Sequence, residues 1–144
     1  LDELREQRAE AVLNAGRAWQ GRNSKNYGGE IAVYYTEQAR ELGERVRRVA
    51  LEDARARVKR SRTVGTAGTT IDLHFLTVQE AVAIAKETLE ELRCTADSPL
   101  QIITGRGKHS RQGKAVLLPA VRTALVEDGW TVSSFDAGLV VRGR

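Results

Sequence analysis

A strand-like run, a glycine-rich basic loop and a helix-like run succeed one another between residues 100 and 128, and this order constrains the fold most. Residues 100–103 (LQII) are short and apolar, and residues 114–128 place apolar side chains at helical spacing. Between them lie residues 104–110 (TGRGKHS). A loop from the carboxyl end of a strand to the amino end of a helix presents backbone N–H groups and a favourable dipole to an anion. The pattern predicts a phosphate-binding loop.

The charge and the glycine spacing of this loop set it apart from two familiar phosphate loops. Four cations lie in it with no acidic residue between them: Arg106, Lys108, Arg111 and Lys114. A Walker loop would need four residues between its glycines, whereas five separate Gly107 from Gly113. The dinucleotide fingerprint would need a third glycine where Ser110 stands. Neither motif fits, and a flexible basic loop without a ligand stays open as the alternative.

Length and composition indicate one domain, or one domain with an appendage, in 144 residues. The chain is 41% hydrophobic and 29% charged, which is ordinary for a globular protein. It contains no apolar run of about 18 residues, so we expect no membrane span. It has no methionine and begins at Leu1, which favours an excised fragment. The single cysteine, Cys94, favours a reducing compartment and hence the cytoplasm, and with two histidines it makes a Cys/His zinc site implausible.

Positive charge is unevenly distributed along the chain. Residues 1–62 contain 14 Lys and Arg against 10 Asp and Glu, whereas residues 63–144 contain nine of each. The second part is therefore neutral as a whole, yet it concentrates four cations in its glycine loop. This distribution favours a local anion site over a generally basic surface.

The first 62 residues are predicted to be helical. Residues 1–20 are amphipathic, residues 21–29 form a break, and a second helix starts near Glu30. The end of that helix is basic, and residues 55–62 contain five cations and no acid. Two interpretations stay open: a solvated face with i,i+4 ion pairs, or a surface that tracks a nucleic acid.

The remaining residues predict an α/β fold after a linker at residues 63–69. We expect a strand over residues 70–76, and then a helix that starts after Thr77 with Glu80 as its capping-box partner. Acidic residues of that helix are expected to be plain solvated charges: Glu87, Glu90 and Glu91. In the next helix, Pro119 should cause a kink or mark the start.

Residues 130–136 and 139–142 are predicted to form a hairpin that joins at Ala137 and Gly138. The order is then strand, helix, strand, helix, strand, strand. Such alternation predicts a two-layer α/β sandwich with a mixed sheet, preceded by an N-terminal α-helical extension.

Asp72 and His74 are expected to share one face of the first strand, because residues i and i+2 of a strand point the same way. An Asp beside a His holds its tautomer and stabilises the imidazolium. In a parallel sheet this pair would border the neighbouring strand's loop, which carries His109, the other histidine of the chain. Open α/β sheets bind ligands at that edge. A purely structural hydrogen bond between Asp72 and His74 remains the alternative.

The motif at residues 71–74 (IDLH), followed about thirty residues later by residues 104–110, resembles the Smr (small MutS-related) domain over residues 70–144. Residues 1–60 resemble, more loosely, the helical domain of unknown function that precedes Smr in many eukaryotic proteins. The resemblance implies an α/β sandwich with nuclease activity on DNA or RNA. Proteins with this arrangement are similar to the endonucleases that cut messenger RNA at stalled, collided ribosomes.

The site that follows from this resemblance is an RNA-cutting one. Asp72, His74 and His109 are the expected catalytic residues, with the two histidines as general acid and base. The expected substrate-binding residues are Thr104, Gly105, Arg106, Gly107, Lys108, Ser110, Arg111, Lys114 and Phe75. The family usually has Gly after the Asp-x-His triplet, and Phe75 in its place would stack on a base or fill a hydrophobic gap.

No cofactor is expected to be required, because the 2′-hydroxyl of RNA can act as the nucleophile. Asp72 is the one obvious carboxylate near the site, which is too few for a two-metal cluster, and a single Mg²⁺ stays open. RNA is the expected partner, with DNA and the ribosome as further ones and no membrane. Alternative functions are a non-catalytic nucleic-acid-binding module, a DNA-nicking endonuclease, and an interaction domain whose N-terminal helices dock a partner.

Overall fold

The computed structural model describes residues 1–20, 28–105 and 116–144. These residues form two compact units, Leu1–Asp53 and Ala54–Arg144. The helices and strands in chain order are α1 (Asp2–Gln20), α2 (Gly28–Ser61), β1 (Thr63–Gly65), β2 (Gly68–Asp72), α3 (Val78–Glu91), β3 (Leu100–Ile103), α4 (Leu117–Glu127), β4 (Val132–Phe135) and β5 (Gly138–Val141).

The first unit consists of α1 and the larger part of α2, so the predicted helical extension is present. Ala11, Ala39 and Leu42 form its buried cluster, and Leu4 packs against them. Within the residues described, no helix combines the length and the hydrophobicity that crossing a membrane requires.

The second unit contains a mixed sheet whose strand order is β1-β2-β3-β5-β4. β2 and β3 are parallel, and α3 connects them. The pairs β1–β2, β3–β5 and β4–β5 are antiparallel. The predicted α/β fold with its strand-helix-strand-helix-strand-strand order is therefore confirmed, and β1 adds one more edge strand.

The hydrophobic core of the second unit lies between the sheet and its helices. α3 and α4 pack against each other, and α4 also contacts β4 and β5. Burial of apolar surface is the main stabilising term for such a layered arrangement. Fully buried side chains of this core include Ile71, Leu73, Ala85, Leu100, Ile102, Val121, Leu125, Leu139 and Val141.

The starts of both core helices follow from their sequences. Thr77 Oγ1 accepts a hydrogen bond from the backbone N–H of Glu80 at 3.3 Å, and the Glu80 carboxylate accepts one from the N–H of Thr77 at 3.1 Å. This is the predicted capping box. In α4, Pro119 is the third residue, where the backbone N–H has no intrahelical acceptor. Of the two expectations for Pro119, the helix start is therefore the one observed.

Residues 63–69, for which the sequence predicts a linker, contain β1 and the first residues of β2. All three residues of β1 are exposed, which explains why no hydrophobic periodicity marks it. Gly68, the first residue of β2, has a φ of 118°, and a Cβ there would lie 2.1 Å from the carbonyl oxygen of Pro99. The predicted domain boundaries themselves stay predictions.

Two acidic residues of α3 are not the plain solvated charges that the sequence analysis expects. Glu87 binds Arg55 with an N–O distance of 2.7 Å, and Glu91 binds Arg62 at 3.2 Å. The expectation was wrong because helical spacing shows which side of α3 faces outward, but not that the basic end of α2 lies there. Both pairs join residues of the second unit.

The Arg62–Glu91 pair gives stability a defined pH dependence. The hydrogen bond from Arg62, helped by its charge, holds the pKa of Glu91 below its ordinary value. A carboxyl whose pKa is lower in the folded state stabilises the fold above its unfolded pKa, and this contribution is lost as the pH falls through the folded pKa. We expect Glu91→Gln to lower the free energy of unfolding at pH 7, and the difference from the unaltered chain to disappear as the pH falls below the ordinary pKa of a glutamate and through the lowered pKa of Glu91. Urea unfolding at a series of pH values measures this, and a difference that grows on acidification would contradict it.

Candidate functional site

The candidate site lies where the parallel strands β2 and β3 end. Asp72, the last residue of β2, is the register partner of Ile103, the last residue of β3. One residue later, the N–H of buried Leu73 donates to the carbonyl oxygen of Ile103 at 2.8 Å. The carboxyl ends of the two strands are thereby held level, so the residues that follow each strand emerge side by side. The prediction that they border one edge of the sheet is confirmed.

Asp72 and His74 form the polar contact at this edge. Asp72 Oδ1 lies 2.5 Å from His74 Nδ1, and the same oxygen accepts from the backbone N–H of His74 at 3.1 Å. The His74 side chain is 52% exposed and that of Asp72 is 32% exposed. The ring is therefore open to a substrate while its orientation is restrained twice by one carboxylate.

The cause of this pairing differs from the expected one. β2 ends at Asp72 instead of continuing to Leu76, and the chain then turns, with the N–H of Leu76 donating to the carbonyl oxygen of Leu73 at 3.1 Å. His74 therefore meets Asp72 across a turn, where an Asp side chain commonly accepts from the backbone two residues on. The prediction that the two side chains lie together is correct, but the turn after Asp72 orients them, and not the alternation of side chains along a strand.

The contact with Asp72 leaves one nitrogen of His74 available for chemistry. An ionised carboxylate can only accept hydrogen bonds, so it favours the tautomer with its hydrogen on Nδ1. The other ring nitrogen, Nε2, then carries the lone pair. An exposed imidazole held in this tautomer is equipped to take a proton from a substrate hydroxyl.

The start of the glycine loop lies against His74. Gly105 has a φ of 86°, and a Cβ built on it would lie 3.2 Å from the Cβ of His74. The N–H groups of Thr104 and Gly105 both donate to the carbonyl oxygen of Ala137, at 3.0 and 3.1 Å. The hairpin that carries Ala137 therefore fixes where the loop leaves the sheet, and glycine allows the backbone to pass close to the Cβ of His74.

Thr104 is buried, with 6% of its surface exposed. Its hydroxyl oxygen has no hydrogen-bond partner among the residues that the structure describes. The rest of the predicted loop site lies outside the described residues: Arg106, Gly107, Lys108, His109, Ser110, Arg111 and Lys114. Their assignments, like the roles of the other predicted site residues, stay predictions.

Phe75 borders the site on another side, and it brings in a residue that sequence reasoning did not single out. Its ring meets the His74 ring edge to face, with centroids 5.6 Å apart and planes at 87°. The guanidinium carbon of Arg57 lies over the Phe75 ring, 3.9 Å from its centroid. In the sequence Arg57 is one of several arginines near the end of α2, and no local signal distinguishes it from them.

Among the residues that the structure describes, no cluster of metal-binding side chains surrounds this pair. Across residues 1–20, 28–105 and 116–144 there is no group of three or more His, Cys, Asp or Glu side chains arranged to hold a metal ion. What the described residues assemble is an Asp–His pair, a glycine backbone, an aromatic ring and an arginine.

The family model for the Smr domain matches residues 71–143. The chain is 29% identical over 151 residues to a Smr domain-containing protein of Schizosaccharomyces pombe, and this match covers 99% of the chain. It covers 29% of that relative, so the chain spans less than a third of the relative's length. No solved structure matches the chain.

Proposed function

The chain belongs to the Smr domain family, and from this membership we propose that it is an endonuclease that cuts single-stranded RNA. Smr domains are associated with nuclease or nucleic-acid-binding roles. The observation that carries the proposal is the hydrogen bond between Asp72 and exposed His74, beside the backbone of Gly105. It supports catalysis because it prepares a general base directly next to the loop that would hold a phosphate.

In the proposed reaction, His74 acts on the 2′-hydroxyl that neighbours the scissile phosphate. Nε2 takes the hydroxyl proton while the 2′-oxygen forms a bond to phosphorus. Asp72 stabilises the imidazolium that results, because its carboxylate lies against Nδ1. The base therefore gains a charge at the moment when a fixed opposite charge is beside it.

The departing group needs a proton, and the proposal assigns its supply to His109. The bond between phosphorus and the 5′-oxygen breaks, the proton of His109 goes to that oxygen, and a 2′,3′-cyclic phosphate and a 5′-hydroxyl result. Arg106 and Lys108, with the N–H group of Gly107, would balance the charge that develops on the phosphoryl oxygens. The roles of these loop residues are assigned from the sequence and from the family resemblance.

We propose the cellular context on the same resemblance. The substrate would be messenger RNA at stalled or collided ribosomes in the cytoplasm. Residues 1–60 would correspond to the helical domain of unknown function that precedes Smr in many eukaryotic proteins. The helices α1 and α2 support that correspondence, because they provide a helical unit ahead of the matched residues.

Incubation of the purified chain with an end-labelled single-stranded RNA, with the all-deoxy strand of the same sequence alongside, tests the proposed chemistry. Both reactions contain EDTA. We expect the RNA to be cut and the DNA to survive, because DNA lacks the attacking hydroxyl. Cleavage products that carry a cyclic phosphate would identify that hydroxyl as the nucleophile.

Other outcomes assign the site differently. Cleavage that requires added Mg²⁺ or Mn²⁺ would move Asp72 from orienting His74 to binding a metal ion. Equal cutting of DNA would favour a DNA-nicking endonuclease. Binding without cutting under every condition would overturn the proposal in favour of a nucleic-acid-binding module, since phosphate contacts alone give affinity without chemistry.

A further inference from the structure

Arg57, Phe75 and His74 form a continuous array at the edge of the site. The Arg57 guanidinium carbon lies 3.9 Å from the centre of the Phe75 ring, and that ring stands at 87° to the His74 imidazole. Arg57 and the general base therefore contact the same aromatic ring, one on its face and one across an edge-to-face contact. A ligand that contacts Arg57 would therefore be close to the part of the substrate that contacts His74.

Among the described residues, Arg57 differs from Arg55 and Arg62 in that no carboxylate is paired with its positive charge. Arg55 and Arg62 are paired with Glu87 and Glu91. Within the described residues Arg57 has no carboxylate partner, and its contact is with an aromatic ring, which leaves its charge in place. Its side chain is exposed and its guanidinium carbon lies over the Phe75 ring, so the group is accessible to a ligand at this edge. Planar guanidinium groups in such a position stack on nucleobases and donate hydrogen bonds.

The position of Arg57 is held by the packing of the last turns of α2. Ala54 and Val58 are buried, and the ion pairs of Arg55 and Arg62 attach the same segment to α3. Residues 54–61 thus belong to the compact α/β unit, although the family match begins at residue 71. Arg57 is an addition to the matched domain that comes from the helix before it.

We propose that Arg57 and Phe75 form a base-stacking subsite for the nucleotide next to the scissile phosphate in single-stranded RNA. This inference rests on the proposed function, because it places the subsite beside the bond to be cut. A base inside a duplex has both faces covered, whereas an unpaired base has a face free to stack on the guanidinium plane. The subsite therefore explains how this edge selects single strands, and it gives the phenylalanine a role beyond filling a gap.

A binding measurement tests the subsite without depending on cleavage. The probe is a fluorescent single-stranded RNA of about ten nucleotides, within the site sizes of single-strand binders, whose 2′-oxygens are methylated so that they cannot attack phosphorus. Fluorescence anisotropy compares the unaltered chain with Arg57→Ala, Arg57→Lys, Phe75→Leu and Phe75→Trp. Arg93→Ala is the matched control: it removes one exposed positive charge after the end of α3, before β3 begins and hence at the opposite edge of the sheet. Thermal unfolding of each variant confirms that it is folded.

The subsite predicts a specific pattern of affinities. Arg57→Ala and Phe75→Leu weaken binding by about 5- to 100-fold, which corresponds to the loss of one stacked base. Arg57→Lys does not restore binding, because lysine keeps the charge but has no plane, and Phe75→Trp binds as well as the unaltered chain. The same probe with its bases removed shows little difference between the unaltered chain and Arg57→Ala.

The subsite would be overturned by full affinity in Arg57→Lys, by an equal loss in Arg93→Ala, or by an equal loss in Arg57→Ala on the probe without bases. Each would reduce Arg57 to a general phosphate contact. Failure of the chain to bind the probe would overturn it too. Failure of the proposed function gives a different result. A chain that binds the probe in this pattern but never cuts unmethylated RNA would support the subsite and contradict the endonuclease.

Discussion

Replacing His74 with alanine is expected to lower the rate of RNA cleavage by about 10²- to 10⁴-fold, the range that a positioned general base contributes. The imidazole is exposed and its Nδ1 is held by Asp72, so Nε2 is the atom that the reaction would use. Because the side chain is half exposed, its loss should leave the fold intact. Single-turnover cleavage of a labelled single-stranded RNA measures the rate, and circular dichroism checks the fold.

Companion variants separate a base from a structural hydrogen bond. Asp72→Asn keeps the shape of the side chain but removes the negative charge that stabilises the imidazolium, so we expect it to slow cleavage as well. His109→Ala tests the proposed acid in the same assay. Glu90→Gln, an exposed change on α3, is the control and should cut at the original rate. Unchanged cleavage by a folded His74→Ala chain would remove His74 from the chemistry.

Gly138→Ala is expected to produce the largest loss of stability, about 3 kcal/mol or more, because overpacking forces backbone shifts. A Cβ at Gly138 would lie 1.9 Å from the carbonyl oxygen of Ile102 and 2.9 Å from its carbonyl carbon. Both atoms belong to the backbone of β3, which cannot move aside without breaking its pairing with β5. Urea unfolding monitored by circular dichroism measures the loss.

The control for this change is Gly65→Ala in the edge strand β1. The nearest atom to a Cβ at Gly65 is 3.9 Å away, which is an ordinary contact distance, and its φ is not among the positive values. We expect its unfolding midpoint to stay close to that of the unaltered chain. An equal midpoint for Gly138→Ala would show that β3 and β5 adjust to the methyl group, against the expectation.

Local signals in the sequence predicted much of the fold. The capping box of Thr77 and Glu80 marked the start of α3, and the pattern around Gly138 marked the hairpin of β4 and β5. Local signals failed where the burial of side chains did not coincide with the extent of a strand. β1 is exposed throughout, and Leu73 continues the apolar pattern of β2 after the strand has ended, because its side chain is still buried in the turn.

The candidate site was predictable where its residues are close in sequence or follow neighbouring parallel strands, as the residues after β2 and β3 do. Asp72 and His74 are two residues apart, so their contact follows from local geometry. The contact of Arg57 with Phe75, and that of Glu91 with Arg62, join residues far apart in the chain. Such contacts depend on how the end of α2 packs beside α3, and a helical pattern alone does not carry that information.

The position of β5 between β3 and β4 has a consequence for the order in which the protein is synthesised. A chain translated as far as Asp128 already contains every residue assigned to the site. At that stage, however, β3 lacks its neighbour β5, and the N–H groups of Thr104 and Gly105 lack the carbonyl oxygen of Ala137. Since domains generally fold as units, we expect the backbone of Thr104 and Gly105 beside His74 to be fixed only after the hairpin of β4 and β5 has been added. A nascent chain would therefore carry the chemical groups of the candidate site before the start of its glycine loop is fixed in place.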